Sequence, residues 1–171
     1  IAEPLRRILH RAPNVRVIMG EVVGFDLSAR RVQLAGGAEL AYDYLIVAAG
    51  ARHAYFGHDE WEQIAPGLKT VEDSLDIRRR ILLAFELAER EAYLTGDYTP
   101  LHFAVIGGGP TGVELAGAIA DIATHALAHD FKLVDPTQAR ITVYEGAPRI
   151  LGMYPEDLSR KAQQQLEELG V

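Results

Sequence analysis

Cysteine is absent from the 171 residues. That excludes a disulfide framework, thiolate catalysis and any Cys-based zinc site within this chain, and it is compatible with a reducing compartment. No apolar run approaches the roughly 18 residues that a membrane-spanning helix needs. The stretch from Ile1 to Arg7 is charged from its third residue and does not read as a signal peptide. Positive charge is in deficit, with 17 Lys and Arg against 24 Asp and Glu and a net charge of -7. Nothing therefore favours a nucleic-acid partner. Internal repeats and low-complexity tracts are also missing. What is left is ordinary for a globular chain, 49% hydrophobic and 24% charged, and long enough for one domain or one domain plus part of another. Ile1 and Gly170-Val171 read as cut ends of a longer protein, since a new strand would be due next.

The most informative stretch runs from Leu101 to Gly117. Phe103 to Ile106 is a short apolar run expected to be a strand. Gly107-x-Gly109-x-x-Gly112 follows without a spacer, and Thr111 to Ala128 continues as a helix rich in alanine and leucine. A glycine motif at a strand end that opens a helix is the pattern of a dinucleotide fold. Gly107 permits the tight turn, Gly109 allows backbone N–H groups to approach a pyrophosphate, and Gly112 lets helix and strand pack closely. Gly108, Pro110 and Thr111 complete the turn. The next strand, Ala139 to Glu145, ends in an acid. Such an acid accepts hydrogen bonds from adenosine ribose hydroxyls and repels the extra phosphate of NADP. Glu145 comes 33 residues after Gly112, later than the usual ~20, and a long first helix plus a loop from Phe131 to Gln138 accounts for the excess. An exposed strand-end glutamate is the plainer alternative. Arg149 could instead read a 2′-phosphate, but with Glu145 in the acceptor position NAD is favoured. Glu114, read as lying in the first helical turn, is placed either for the helix dipole or beside the nicotinamide end of the cofactor.

Around this motif the chain reads as α/β. A short amphipathic helix spans residues 1 to 11. Val15 to Asp26 is expected to be a strand with a bulge at Gly20, followed by a strand at Arg31 to Leu34, a Gly36-Gly37 hairpin turn and a strand from Ala38 to Tyr44. Leu45 to Ala49 is a continuous apolar run, typical of a strand covered on both faces, and Gly50 ends it. A long loop rich in aromatics and histidine (His53, Tyr55, Phe56, His58, Trp61) runs to Gly67. Thr70-x-x-Asp73 resembles a capping box, opening a helix to about Leu94 with Ile77, Ile81, Phe85, Ala88 and Ala92 on one stripe. Arg78 to Arg80 reads as a solvated face opposite Glu86, Glu89 and Glu91. A last helix, Pro155 to Leu169, carries Leu158, Ala162, Leu166 and Leu169 on its apolar face. Asp121, His125 and His129 have metal-ligand spacing on one helix face, yet the stretch lacks the inner glutamate of a zinc protease motif. A solvated polar face, with no metal, is expected.

These residues resemble a known group. Gly107-x-Gly109-x-x-Gly112-x-Glu114-x-Ala116 is similar to the NAD-binding signature of flavoprotein reductases with two dinucleotide domains, and Tyr42 to Gly50 to their second flavin-contact motif, with Ala49 where threonine is usual. The closer resemblance is to type II NADH:quinone oxidoreductases. It rests on the opening Ile-Ala-Glu-Pro-Leu-Arg, the stretch from Ala51 to His58, the stretch from Gly108 to Gly117 and the insertion before Glu145.

The resemblance implies a Rossmann-type parallel sheet for a partial NADH-binding domain at 68–171, and a small β-rich remnant of an FAD-binding domain at 1–67. It implies FAD and NAD as cofactors, with hydride passing from NADH to FAD and electrons then to a membrane quinone. In this carry-over the backbone of Gly107, Gly108, Gly109, Pro110, Thr111 and Gly112 holds the pyrophosphate and Glu145 the ribose. Glu114 is the catalytic candidate near the nicotinamide, with a role in proton delivery to quinone. Val22, Ala49 and Gly50 lie on the flavin side, and His53, Tyr55 and Phe56 could border its ring. Contact with the membrane, on its cytoplasmic side, would be peripheral and made by regions outside this chain. A homodimer is one assembly open to it, and the isolated segment is expected to be inactive. Two other readings stay open: a soluble reductase acting on ferredoxin or a disulfide, and a non-catalytic module that senses NAD(H).

Overall fold

The computed structural model describes residues 3–171, and the chain divides between Arg52 and His53 into two units. In the first, helix α1 (Leu5–Leu9) precedes strands β1 (Val22–Asp26), β2 (Arg31–Leu34) and β3 (Glu39–Ala41), which form an antiparallel sheet in the order β1-β2-β3. Gly36 and Gly37 lie in the three-residue loop of the β2–β3 hairpin, where Gly37 N–H donates to the Leu34 carbonyl at 3.1 Å, and their φ of 88° and 86° are values that glycine adopts without strain. Asp26 sets the preceding turn by accepting from Ala29 N–H at 2.7 Å.

Four expectations for this unit need correction. The helix expected over residues 1 to 11 spans Leu5–Leu9 after an extended Pro4, and residues 1 and 2 lie outside the described residues. The first strand begins at Val22, not Val15, and its irregularity falls between Val22 and Gly24 instead of at Gly20. The third strand stops at Ala41. The apolar run Leu45 to Ala49 is not a strand, and Ile46 and Val47 are 89% and 65% exposed. A doubly covered strand requires neighbours for its backbone and layers for both faces, and strand propensity is largely a response to that setting. No strand among the described residues pairs with this run.

The second unit contains α2 (Val71–Thr95), β4 (His102–Ile106), α3 (Pro110–Asp121), β5 (Arg140–Tyr144) and α4 (Glu156–Glu168). The segment from His53 to Gly67, with a 3-10 turn at Asp59–Gln63, belongs with it. Arg80 Nη1 donates to the Gln63 carbonyl at 3.1 Å, and Tyr55 Oη donates to the Ala65 carbonyl at 2.8 Å. Helix α2 starts at a complete capping box. Asp73 N–H donates to Thr70 Oγ1, while Asp73 Oδ2 accepts from the N–H groups of Lys69 and Thr70. It ends at Gly96, whose φ of 81° suits a left-handed C-cap. The stripe Ile77, Ile81, Phe85, Ala88 and Ala92 is buried as its spacing requires. It joins Val105, Ala116, Ile119, Ala120, Ile141 and Leu166 in one core, with Phe85 fully enclosed against Phe103 and Phe131.

Strands β4 and β5 pair in parallel from His102↔Arg140 to Ile106↔Tyr144. A parallel pair joined through a helix is the Rossmann-type arrangement expected for this half, so the chain is α/β with a separate small antiparallel sheet. Details differ here as well. The helix after the glycines is α-helical only to Asp121 and continues as a π-turn at Ile122–Ala126, so His129 does not continue the face of Asp121 and His125. Leu158 in α4 and Leu169 just past its end are exposed, and Ser159 is buried, its hydroxyl donating to the Ile150 carbonyl at 2.7 Å. Arg79 and Arg80 pair with Asp76, at 2.8 Å and 2.6 Å, and not with the later glutamates.

Candidate nucleotide-binding site

The glycine turn follows β4 directly. Gly107 N–H donates to the Tyr144 carbonyl at 2.8 Å, extending the parallel ladder by one residue. Its φ of 104° lies in the region that favours glycine. A Cβ at Gly112 would run into the carbonyl oxygen of Gly107, so only glycine lets α3 approach the strand this closely. Gly109 is the N-cap of α3 and Pro110 its first residue, and no side chain caps the helix. The first-turn N–H groups, with the positive end of the helix dipole, are thus directed at the space before Gly109, the chemistry that suits a pyrophosphate. Thr111 is exposed in that turn.

Glu145 lies across the turn, just past β5. Its Oε2 accepts from Gly108 N–H and its Oε1 from Ala147 N–H, each at 2.7 Å. These backbone donors, Ala147 first and Gly108 next, hold the carboxyl below its ordinary value of 4.5. The group is therefore an acceptor at neutral pH. A carboxylate has about four lone-pair sites, so with two occupied and the residue exposed it can still accept from a ribose diol, while an added phosphate would meet like charge. Arg149, the alternative phosphate reader, is turned elsewhere. Its Nη2 donates to the carbonyls of Gly152 and Tyr154, both at 2.9 Å, and its Nη1 to that of Leu151 at 3.3 Å.

Glu114 is the fifth residue of α3, and the first turn holds no acid. The dipole effect falls off within that turn, so the capping explanation for Glu114 loses its basis. Its side chain is exposed. In the first unit Val22 and Ala49 are exposed, and Gly50 has φ 74° with nothing within 4 Å of where a Cβ would stand. His53 lies 3.7 Å from Asp73 at the start of α2. Phe56 is 92% exposed with φ 54°, and His58 stacks on Trp61 at 4.3 Å. The Asp121–His125 pair is 3.0 Å apart and exposed, and no group of three or more potential metal ligands occurs among the described residues. An open hollow of about 350 Å³ sits on the antiparallel sheet of the first unit, between Val23 and Glu39.

Sequence reasoning missed two features. The first is the grip of the 149–154 loop on Gly108, whose carbonyl accepts from Leu151 N–H at 2.7 Å. The only signal was a third consecutive glycine. The second is Glu89. Its carboxylate accepts from the N–H groups of Lys132, Leu133 and Val134, 43 to 45 residues away in sequence, and no local pattern encodes that reach.

A protein-family model for pyridine nucleotide-disulphide oxidoreductases matches residues 3–171. The chain belongs to that family. Within it, the chain is 43% identical over 174 aligned residues to the type II NADH:quinone oxidoreductase Ndh of Mycobacterium tuberculosis, covering all of this chain and 38% of that protein. The resemblance drawn from the motifs is thereby borne out. Among solved structures it is similar to NDH2 of Plasmodium falciparum in complex with NADH, with TM-score 0.71 and 25% identity over 90% of this chain and 32% of that one. A ferredoxin reductase from Rhodopseudomonas palustris shares the fold at TM-score 0.66 and 21% identity, over 99% of this chain and 34% of the other. The chain thus spans well under half the length of the relatives it matches.

Proposed function

We propose that this chain carries the NADH site, and part of the flavin site, of a flavin-dependent NADH:quinone oxidoreductase. The observation that supports this most is the pairing of an uncapped glycine-turn helix with an ionised strand-end carboxylate that retains free acceptor sites. In this reading the N–H groups at Gly109, Thr111 and Gly112 bind the pyrophosphate of NADH, with Gly107, Gly108 and Pro110 shaping the turn. Glu145 orients the adenosine ribose and disfavours NADPH. Glu114 lies toward the nicotinamide end and serves proton delivery to quinone. The FAD side is carried by residues 1–67, with Val22, Ala49 and Gly50 nearest the cofactor, and the NADH side by residues 68–171. FAD, when bound, supplies the acceptor for a hydride and the relay of its electrons to quinone.

The relatives' names point to quinone as second substrate, which sets the reaction at a membrane surface. We place the protein peripherally there, on the cytoplasmic face. No helix among the described residues is long and apolar enough to cross a membrane. The test is kinetic. In the whole enzyme carrying this segment, Glu145→Ala raises KM for NADH by about tenfold to a hundredfold, the scale of one or two charge-assisted hydrogen bonds, with little change in kcat. That split marks lost uniform binding. An unchanged KM removes Glu145 from the site.

A further inference from the structure

We propose that Arg149 is a positioning residue that sets the ribose-reading geometry of Glu145, and that its guanidinium is for the same reason withheld from any 2′-phosphate. The inference rests on the reading of the glycine turn as an NAD(H) site and deepens it. The backbone of Gly108 is held at both of its polar groups. Its N–H donates to Glu145 Oε2 at 2.7 Å, and its carbonyl accepts from Leu151 N–H at 2.7 Å. A Cβ at position 108 would come within 2.7 Å of Ile150 Cγ2 and 3.1 Å of Glu145 Cβ, so the loop from 149 to 154 lies directly against the glycine turn.

That loop needs an internal support. Leu151 adopts φ 50°, a left-handed conformation that costs a non-glycine residue free energy and persists only where its surroundings hold it. Arg149 provides the hold. Its two terminal nitrogens bind the carbonyls of Leu151, Gly152 and Tyr154, and buried Ser159 fixes Ile150 from the other side. The planar fork of arginine suits several carbonyls in one turn, and a lysine ammonium on a flexible stem matches it poorly. The chain of contacts is therefore Arg149 to Leu151, Leu151 to Gly108, and Gly108 to the Glu145 carboxylate. A basic residue four positions after the acid would otherwise be the natural reader of a phosphate, and here its hydrogen bonds are turned into its own loop.

The test uses ADP-ribose and its 2′-phosphorylated form, which occupy the adenosine half of the site without redox chemistry, titrated calorimetrically into the protein. Arg149→Ala weakens ADP-ribose about tenfold, the scale of one charge-assisted hydrogen bond, while Arg149→Lys loses less. The double variant Glu145→Ala with Arg149→Ala binds within about twofold of Glu145→Ala alone, because both changes act through one contact. A residue serving stability alone would give additive losses. Additivity, or unchanged binding in Arg149→Ala beside weakened binding in Glu145→Ala, overturns the role of Arg149 and leaves the site intact. A larger loss for the 2′-phosphorylated ligand than for ADP-ribose would make Arg149 a phosphate reader and also overturn it. Unchanged binding in Glu145→Ala defeats the reading of the site itself. Should Arg149→Ala fail to fold, Arg149→Lys carries the same cycle.

Discussion

Glu89 and Gly112 show how single residues decide what this chain can build. Burial works against the charge of Glu89, but N–H groups of Val134, Lys132 and Leu133 together outweigh it and hold the carboxyl below its ordinary value of 4.5. The stabilisation this implies is present above that ordinary value and lost as pH falls through the lower folded one. Asp73 and Glu145 are lowered likewise, chiefly by backbone N–H donors. The thermal midpoint should therefore fall as pH drops from 6 toward 3. In Glu89→Gln the midpoint at pH 6 should be lower and the acid dependence shallower; an unchanged slope would mean that Glu89 makes no difference between folded and unfolded titration. Gly112 works through space. Its would-be Cβ meets backbone, the Gly107 carbonyl, which cannot move aside as a flexible side chain could. Gly112→Ala should weaken NADH binding and lower the thermal midpoint together, and normal binding would show that α3 can shift outward freely.

At the scale of elements, α2 is the clearest case of sequence logic carried into structure. Its N-terminus, its buried stripe and its end near Leu94 were all legible, because each depends on residues within a few positions of one another. Thr70→Ala removes the cap acceptor for Asp73 N–H and should cost about 1 kcal/mol in chemical denaturation. Phe85→Ala, at a residue with 0% exposure, should cost about 3–5 kcal/mol because it also leaves a cavity between two aromatic rings. A Phe85 loss no larger than that of Thr70 would show that the core collapses to fill the space. Leu45 to Ala49 is the opposite case. Composition marked it as a strand, but strand formation requires a partner, and the run has none among the described residues. The exposed Leu158 of α4 and Leu169 just past its end belong here too, since a helical apolar face is buried only where another element meets it.

For the molecule as a whole, the two units differ in how much they bury. Among the described residues, Val32 is the one buried hydrophobic residue before Arg52, whereas the second unit holds a connected core running from Ile77 to Leu166. Local opening is easiest where few apolar contacts must be broken. Amides of β1, β2 and β3 should therefore exchange with solvent deuterium well before those of β4 and β5. Equal protection in both sheets would show that the first unit is stabilised by something other than its own core.

Local determinants were decisive in the sequence itself. Glycines where φ must be positive, a Thr–Asp pair three apart, apolar residues at helical spacing and a strand-end acid after a glycine turn each constrain the backbone within a few residues. They specified α2, the glycine turn, the parallel α/β half and the family. Tertiary structure alone decided which lone pairs of Glu145 are occupied, that Arg149 turns its hydrogen bonds into its own loop, that Glu89 reaches the 132–134 backbone, and that Leu45 to Ala49 finds no strand partner among the described residues. Those outcomes depend on groups brought together across tens of residues or on a neighbour that is present or absent. A hydrogen bond needs its partner within about 3 Å, and no local pattern supplies that distance.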